Sequence, residues 1–268
     1  MSIQVGTERE KLRHAIESLS GQIAAMVKDL PDTSIKIPKS EWTVGEAAAH
    51  MSDAQGLFAR LAAGEQVTHG DGTPGSLEHA NRGALVANPQ RDGAVLASSI
   101  VGNTQTFLMR AAAMPASRAV DTPMGRMDAD TMYTYMLTHL MMHGFPIGMA
   151  LHRPLVVERI FVQLTLPFIK HALPLVVNKK AAGNLRAIYQ VRMRGGSPFW
   201  VKFDRGTVTI HEQKPGRVDC FISADPVSFI QVGFKLKSQW PLIATGKLFA
   251  WGLKPWLGFR FAGMFNPP

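Results

Sequence analysis

The chain has 268 residues, of which 46% are hydrophobic, and a formal net charge of +9. This length exceeds that of a common single domain, and the apolar content is sufficient for two hydrophobic cores. A single cysteine excludes an intramolecular disulfide, so a secreted disulfide-rich scaffold is excluded and a reducing compartment is expected.

The positive charge is concentrated in the second part of the chain. Residues 1–151 contain 12 Lys and Arg against 15 Asp and Glu, whereas residues 152–268 contain 17 against 5. This asymmetry indicates two units, the second of which favours anionic partners such as acidic lipid headgroups, acyl carboxylates or nucleic acid, unless its charge only aids solubility. The sequence has no recognised nucleic-acid motif, phosphate loop or nucleophile elbow, so no nucleic-acid partner is expected.

The sequence predicts a cytoplasmic protein. Residues 1–10 lack a basic start followed by an apolar core, which argues against a signal peptide. The most apolar stretch, residues 160–169, is too short to span a bilayer and is bounded by Arg159 and Lys170.

Helical spacing of apolar residues predicts a four-helix bundle in the first domain, residues 1–152. The expected helices lie at about 12–27, 43–61, 91–114 and 128–151. Pro146 is expected to bend the last of these. Residues 64–88 are expected to form a long loop with a short helix near 76–85, in which His69, His79 and Arg82 either line the mouth of a site or are ordinary loop residues.

Histidines at helical spacing suggest a metal site. His139 and His143 are four residues apart on the stripe that also carries Met132 and Met136, so both imidazoles point into an apolar seam. Burial of two such rings is unfavourable unless they are hydrogen-bonded or coordinated, and the spacing suits two ligands on one divalent ion. Satisfied core or surface histidines are the alternative interpretation.

A third histidine comes from the second helix. Thr43 and Glu46 form a capping-box pattern that starts this helix, and His50 stands at the edge of its apolar stripe. Three neutral imidazoles leave a fourth position open on a tetrahedral ion, which is typical of catalytic sites. Such a donor set accepts zinc, nickel, copper or iron.

The Trp42-Thr43 pair followed by His50, with an HxxxH motif about ninety residues later, resembles the DinB-like metal-binding four-helix bundles. Within them the chain is most similar to the mycothiol-dependent maleylpyruvate isomerases of actinobacteria. This resemblance assigns His50, His139 and His143 as metal ligands, preferably to zinc with nickel or iron as alternatives, and implies a low-molecular-weight thiol such as mycothiol as cofactor.

The chain also departs from the isomerase pattern. The isomerases usually have Glu at the position of His139, and commonly Asp at the position of Pro146. They carry a catalytic arginine beside a glycine in their second domain, where this chain reads Gly233-Phe234-Lys235. Because lysine does not reproduce a bidentate contact to a carboxylate, maleylpyruvate is not expected to be the substrate.

Near residue 184 the pattern changes from helical periodicity to short alternating runs. Strands are predicted at 187–194, 199–203, 207–211 and 218–223, followed by a helix at Asp225-Pro226, a strand at about 246–252 and a terminal helix. Cys220 falls on the apolar side of its strand, which indicates a core residue without a redox role.

This order, with the segment Gly246-Lys247-Leu248 and a second glycine at Gly252, resembles the sterol carrier protein family. The resemblance implies, for residues 160–268, a mainly antiparallel sheet of about five strands, beginning with a four-strand meander, and helices over an apolar tunnel for lipid. The fold class is therefore α plus α+β. Aromatic residues and lysines interleave here, which suits an anionic lipid or a membrane surface, whereas core packing is the favoured interpretation for any single aromatic residue. Candidate lipid contacts are Phe229, Phe234, Trp240, Leu242 and Phe249.

Two functions are open on this evidence. The first is a metal-dependent thiol transferase or isomerase that acts on an electrophile held partly by the second domain. The second is a carrier of sterol or fatty-acyl lipid, in which the bundle is structural or regulatory.

Overall fold

The computed structural model describes residues 7–266, so the outer ends of the two predicted domains lie outside the described residues. Its contacts divide the chain into two compact units, Met1–Val157 and Glu158–Pro268. Among the described residues, no helix combines the length and the apolar character needed to cross a bilayer.

The first unit is a four-helix bundle with additions, as predicted. Its elements are α1 (Glu8–Val27), α2 (Val44–Ala62), α3 (Pro74–Ala87), α4 (Gly93–Ala112), β1 (Ala119–Thr122), β2 (Gly125–Asp128) and α5 (Ala129–Ala150). Helices α1 and α2 each pack against both α4 and α5. The apolar stripes that predicted these helices form the core, in which Ile16, Met51 and Met136 are fully buried.

The short helix predicted within residues 64–88 is present as α3 and is longer than expected, because Thr73 caps a helix that has Pro74 at its first position. The hairpin β1–β2 was not predicted, because its strands have only four residues each. Gly125 closes its turn at a φ of 85°, a conformation that favours glycine.

The second unit is built on one five-stranded sheet, as predicted. Its strands are β3 (Arg186–Met193), β4 (Phe199–Asp204), β5 (Thr207–His211), β6 (Cys220–Ala224) and β7 (Leu248–Trp251), in the order β5-β4-β3-β6-β7. Its helices are α6 (Arg159–Leu164), α7 (Leu166–Ala172), α8 (Lys179–Ala182), α9 (Pro226–Gly233) and α10 (Gln239–Ala244). Asp225 caps α9, and its carboxylate accepts a hydrogen bond from the Ser228 amide.

The predicted four-strand meander is wrong. Strand β6 does not pair with β5 but returns to the centre of the sheet, where it runs parallel to β3. Alternation of apolar residues fixes which face of a strand is buried but does not identify its neighbour, and the free edge of β3 offers β6 a partner. The predicted terminal helix is also wrong in type, because residues 255–264 form two short 3-10 segments rich in glycine.

The two faces of the sheet have different environments. Val191, Ile222 and Cys220 point to one face, where they are buried. A row across all five strands occupies the other face and is half-buried or exposed: His211, Trp200, Gln190, Phe221 and Trp251. The core of the second unit therefore lies on one side of the sheet only.

Candidate functional site

The structure brings the three predicted histidines together between α2 and α5. His50 and His139 are buried, and their Nε2 atoms lie 3.1 Å apart. The ring of His143 is half-buried, with centroids 4.7 Å from His50 and 4.5 Å from His139. One nitrogen from each ring can be chosen so that all three lie within 4.8 Å of one another.

Local sequence explains why these rings converge. The hydroxyl of Thr43 accepts a hydrogen bond from the Glu46 amide while the Glu46 carboxylate accepts one from the Thr43 amide, which fixes the start of α2 two turns before His50. On α5, the four-residue spacing stacks His139 and His143 on one face. At Gly144, helix α5 approaches α1 closely, because a Cβ at this position would lie 2.7 Å from Ile23 of α1.

The histidines are neutral in this environment. Burial is the main reason why the pKa values of His50, His139 and His143 lie well below the ordinary value for histidine. The neighbouring imidazoles lower these pKa values further. A neutral imidazole presents a lone pair on one ring nitrogen, as metal coordination requires. The cluster is therefore in the protonation state of a ligand set.

Hydrogen bonding within the cluster is incomplete. Nδ1 of His139 and Nε2 of His143 are buried without a hydrogen-bond partner among the described residues. Buried nitrogen without a partner costs about 1–3 kcal/mol, so two such rings in one cluster require a reason. A tetrahedral ion with nitrogen ligands at about 2.0–2.1 Å holds them roughly 3.3 Å apart. This is close to the 3.1 Å between Nε2 of His50 and Nε2 of His139, and the three ligand nitrogens, all within 4.8 Å of one another, need only a small closure. The residues present fit a divalent metal ion.

Trp42 also belongs to the site, although sequence reasoning used it only as part of a motif. Its ring stacks on His143, with centroids 5.7 Å apart and an interplanar angle of 18°, and lies 4.8 Å from His50. Trp42 is half-buried, so it shields the rings on the side where His143 is partly exposed. An aromatic residue directly before the N-cap Thr43 was the signal that could have identified it.

The three loop candidates have different surroundings. His69 is half-buried and its Nε2 lies 2.8 Å from Asn81 Oδ1, and its proximity is a minor cause of the low pKa of His50, after burial and His143. His79 and Arg82 are exposed on α3, where Arg82 pairs with Glu78. Only His69 among the three therefore interacts electrostatically with the cluster.

The candidate lipid contacts of the second unit are dispersed over three elements. Phe229 and Phe234 are half-buried on α9 and at its end, and Leu242 of α10 is buried. Trp240 and Phe249 are instead 59% and 57% exposed. The fold does not gather these five side chains into one buried group.

Cys220 is buried in the second unit, as predicted for a core residue. A Cβ at Gly258 would be in ordinary contact with Cys220 Sγ at 3.6 Å but would overlap the Cβ of Ala250, so Ala250 is what leaves no room for a side chain at Gly258. Burial raises the pKa of the Cys220 thiol to about 11, so the thiol is protonated at neutral pH and is a poor nucleophile.

Comparison with known proteins relates this geometry to a family. Residues 9–147 match the family model described as the mycothiol maleylpyruvate isomerase N-terminal domain. A crystal structure of a histidine-to-alanine mutant of the mycothiol-dependent maleylpyruvate isomerase is 12% identical, covers 91% of each chain and has a TM-score of 0.55. That likeness extends over both units and shows a shared fold.

Two further solved structures are less similar. Another crystal structure of the mycothiol-dependent maleylpyruvate isomerase is 13% identical over 84% of this chain and 87% of that chain, with a TM-score of 0.45. A UbiJ-SCP2 ubiquinone synthesis protein is 20% identical over 32% of this chain and 75% of that chain, with a TM-score of 0.28. The comparison with curated proteins gives no significant match. Because the matched region, residues 9–147, spans half of the chain, the protein belongs to the mycothiol maleylpyruvate isomerase N-terminal domain family.

Proposed function

We propose that the protein is a metal-dependent thiol transferase or isomerase that uses a low-molecular-weight thiol of the mycothiol type. The observation that carries this proposal is the convergence of His50, His139 and His143 as neutral rings, two of which have a buried nitrogen without a hydrogen-bond partner among residues 7–266. Membership of the isomerase family and the names of the similar structures support the choice of thiol.

In this proposal the three imidazoles hold a divalent ion, with zinc preferred and nickel or iron as alternatives. A divalent ion held by three neutral ligands would supply Lewis acidity that lowers the pKa of a thiol in the open position. Trp42 would exclude water from the His143 side, where its ring already stacks. His69, beside Asn81, would lie at the entrance and is a candidate to interact with the incoming thiol.

The electrophile is proposed to differ from maleylpyruvate. The family's arginine is absent at the position of Lys235, which is exposed and follows the end of α9. Lysine is a point charge without the fork geometry that binds a carboxylate bidentately. We expect no maleylpyruvate isomerisation above background, and a cytoplasmic site of action where such thiols are kept reduced.

Metal content tests the ligand assignment. Elemental mass spectrometry of untagged protein should find about one divalent ion per wild-type chain, as expected for one three-histidine site. His143→Ala should lose this ion with unchanged circular dichroism, whereas His79→Ala, which alters an exposed histidine of α3, should retain it. Equal metal content in the two variants would contradict the assignment.

Thiol binding tests the chemistry apart from turnover. Cobalt(II)-substituted protein should develop a thiolate-to-cobalt charge-transfer band when mycothiol is added, because a coordinated thiol is deprotonated. The S-methylated thiol is the matched control and should produce no band. If the cobalt protein bound mycothiol without this band, the metal site would stand but the proposed coordination of a thiolate would be refuted.

Lipid carriage by the second unit is a second candidate function. It is favoured by the large exposed aromatic residues Trp240 and Phe249, which lie beside a sheet that buries only one face. Organic extraction of purified protein followed by lipid mass spectrometry should then recover a sterol or fatty-acyl lipid in stoichiometric amount. A protein that contains metal but no lipid would exclude this candidate and leave the first in place.

A further inference from the structure

The exposed aromatic residues of the chain are confined to one segment. Among residues 7–266, each aromatic side chain that is largely exposed lies between residues 240 and 259, and the segment also contains the exposed Leu253. We call residues 240–259 the aromatic segment. Its exposed aromatic residues are Trp240, Phe249, Trp251, Trp256 and Phe259, with exposed fractions of 41–59%.

Ring stacking holds several of these side chains in place without burying them. Phe221 of β6 stacks on Trp251 at 5.4 Å, and Trp251 stacks on Phe249 at 5.6 Å along β7. Trp240 of α10 packs against Phe259 at 5.4 Å, and Gln239 donates a hydrogen bond to the Phe259 carbonyl. The aromatic residues thus form two stacked groups near β7, the edge strand of the sheet: Phe221, Trp251 and Phe249 on the strands, and Trp240 with Phe259 between α10 and the 3-10 segment that follows β7.

The charge around this surface is mainly positive. Residues 226–268 contain no Asp or Glu and five basic residues: Lys235, Lys237, Lys247, Lys254 and Arg260. Within residues 7–266, only Lys254 of these five forms an ion pair, with Asp219 at 2.7 Å. Most of the positive charge beside the aromatic rings is therefore available to an anionic partner.

We propose that the aromatic segment is a docking surface for an anionic lipid bilayer. Tryptophan and phenylalanine insert at the interface between headgroups and acyl chains, and lysines beside them add attraction to acidic headgroups. A second copy of the chain fits poorly, because its own unpaired lysines would face those of the first. The aromatic segment belongs to the second unit and the histidine cluster to the first, so the proposal does not depend on the metal.

Vesicle binding measures this directly. Three of the five tryptophans, Trp240, Trp251 and Trp256, lie in the segment, so insertion should shift the intrinsic fluorescence to shorter wavelength. We expect this shift with vesicles of phosphatidylcholine and phosphatidylglycerol, quenching by brominated acyl chains, and weaker binding at high salt. Vesicles of phosphatidylcholine alone should bind far less.

Matched variants separate charge from apolar insertion. Changing Lys235, Lys237 and Lys247 to Gln should weaken binding to anionic vesicles about a hundredfold, at roughly fivefold per lysine near the surface. The control changes three exposed lysines of the same unit to Gln and should have a much smaller effect: Lys179, Lys180 and Lys214.

The apolar contribution has its own pair of variants. Trp240→Ser with Phe249→Ser should abolish quenching by brominated lipid, whereas Val86→Ser with Met109→Ser, at exposed positions of the first unit, should leave it unchanged. Circular dichroism and metal content of each variant confirm that it is folded. The proposal is overturned if both lysine triples weaken binding equally, or if wild type binds neutral and anionic vesicles alike. It is also overturned if the aromatic double variant converts a dimer to a monomer while wild type does not bind vesicles.

Discussion

Replacement of His139 by Leu should change stability little without metal and reduce it with metal. His139 is 5% exposed, its Nδ1 is buried without a partner among the described residues, and its Nε2 lies 3.1 Å from Nε2 of His50. In metal-free protein a leucine of similar size removes the unsatisfied Nδ1 but leaves Nε2 of His50 without its partner. In metal-loaded protein the same change removes a ligand.

The two effects can be estimated separately. An unsatisfied buried polar group costs about 1–3 kcal/mol, so in metal-free protein the removal of Nδ1 and the loss of the partner of His50 nearly cancel. An ion at a thousand times its dissociation constant stabilises the folded state by about 4 kcal/mol, which the variant would lose. With metal, wild type should therefore exceed the variant by about 4 kcal/mol.

Thermal unfolding with chelator and with added zinc measures both values. A change of 1 kcal/mol corresponds to about 2–4 °C in Tm for a chain of this size, so the two proteins should melt within a few degrees of each other in chelator and be separated by roughly 8–16 °C with zinc. His79→Leu on the exposed face of α3 is the control and should not respond to zinc. If His139→Leu were equally destabilising in both conditions, His139 would be a satisfied core residue and the ligand assignment would fail.

Four further experiments test other parts of the structure. Trp42→Ala should release bound metal to a chelator faster than wild type at unchanged stoichiometry, because it uncovers the rings; an unchanged release rate would refute the shielding role. Thr43→Ala should cost about 1 kcal/mol in urea unfolding through loss of the N-cap. The hydrogen bond from the Thr43 amide lowers the pKa of Glu46 in the folded state. The ionised carboxylate therefore stabilises wild type relative to Glu46→Gln above about pH 4.3, the pKa of Glu in the unfolded chain. This difference should disappear as the pH falls through the lower pKa of the folded state. Cys220 should react with a disulfide reagent only after denaturation, and rapid reaction of native protein would show that its burial is overstated.

Local sequence signals predicted the parts of the site that local structure determines. The Thr43–Glu46 capping box defines the start of α2, and the spacing of His139 and His143 places both rings on one face of α5. The convergence with His50 follows from packing of α2 against α5, which periodicity suggests but cannot measure. The role of Trp42 depends on a stacking geometry that only the folded chain reveals.

The remaining differences arise from non-local pairing and exposure. Alternation predicted strand β6 but not its parallel pairing with β3, because a pattern within one strand does not encode its neighbour. Composition identified the aromatic residues near the C-terminus, but core packing was the favoured interpretation for each of them, and Trp240 and Phe249 are largely exposed. Hydrophobic residues tend to be buried, but many are exposed. The sequence alone therefore does not show that several neighbouring aromatic residues are exposed together.

The return of β6 to the centre of the sheet has a consequence for synthesis and folding. Strands β3, β4 and β5 can form as successive hairpins, but the second edge of β3 stays unpaired until residues 220–224 have been made. Tyr189 and Val191, fully buried in the finished sheet, lie on that strand. A nascent or truncated chain that ends before β6 would expose an apolar strand edge, which favours aggregation and a need for chaperones. Fragments of the second unit are therefore expected to be soluble and folded after expression only when they include strand β6.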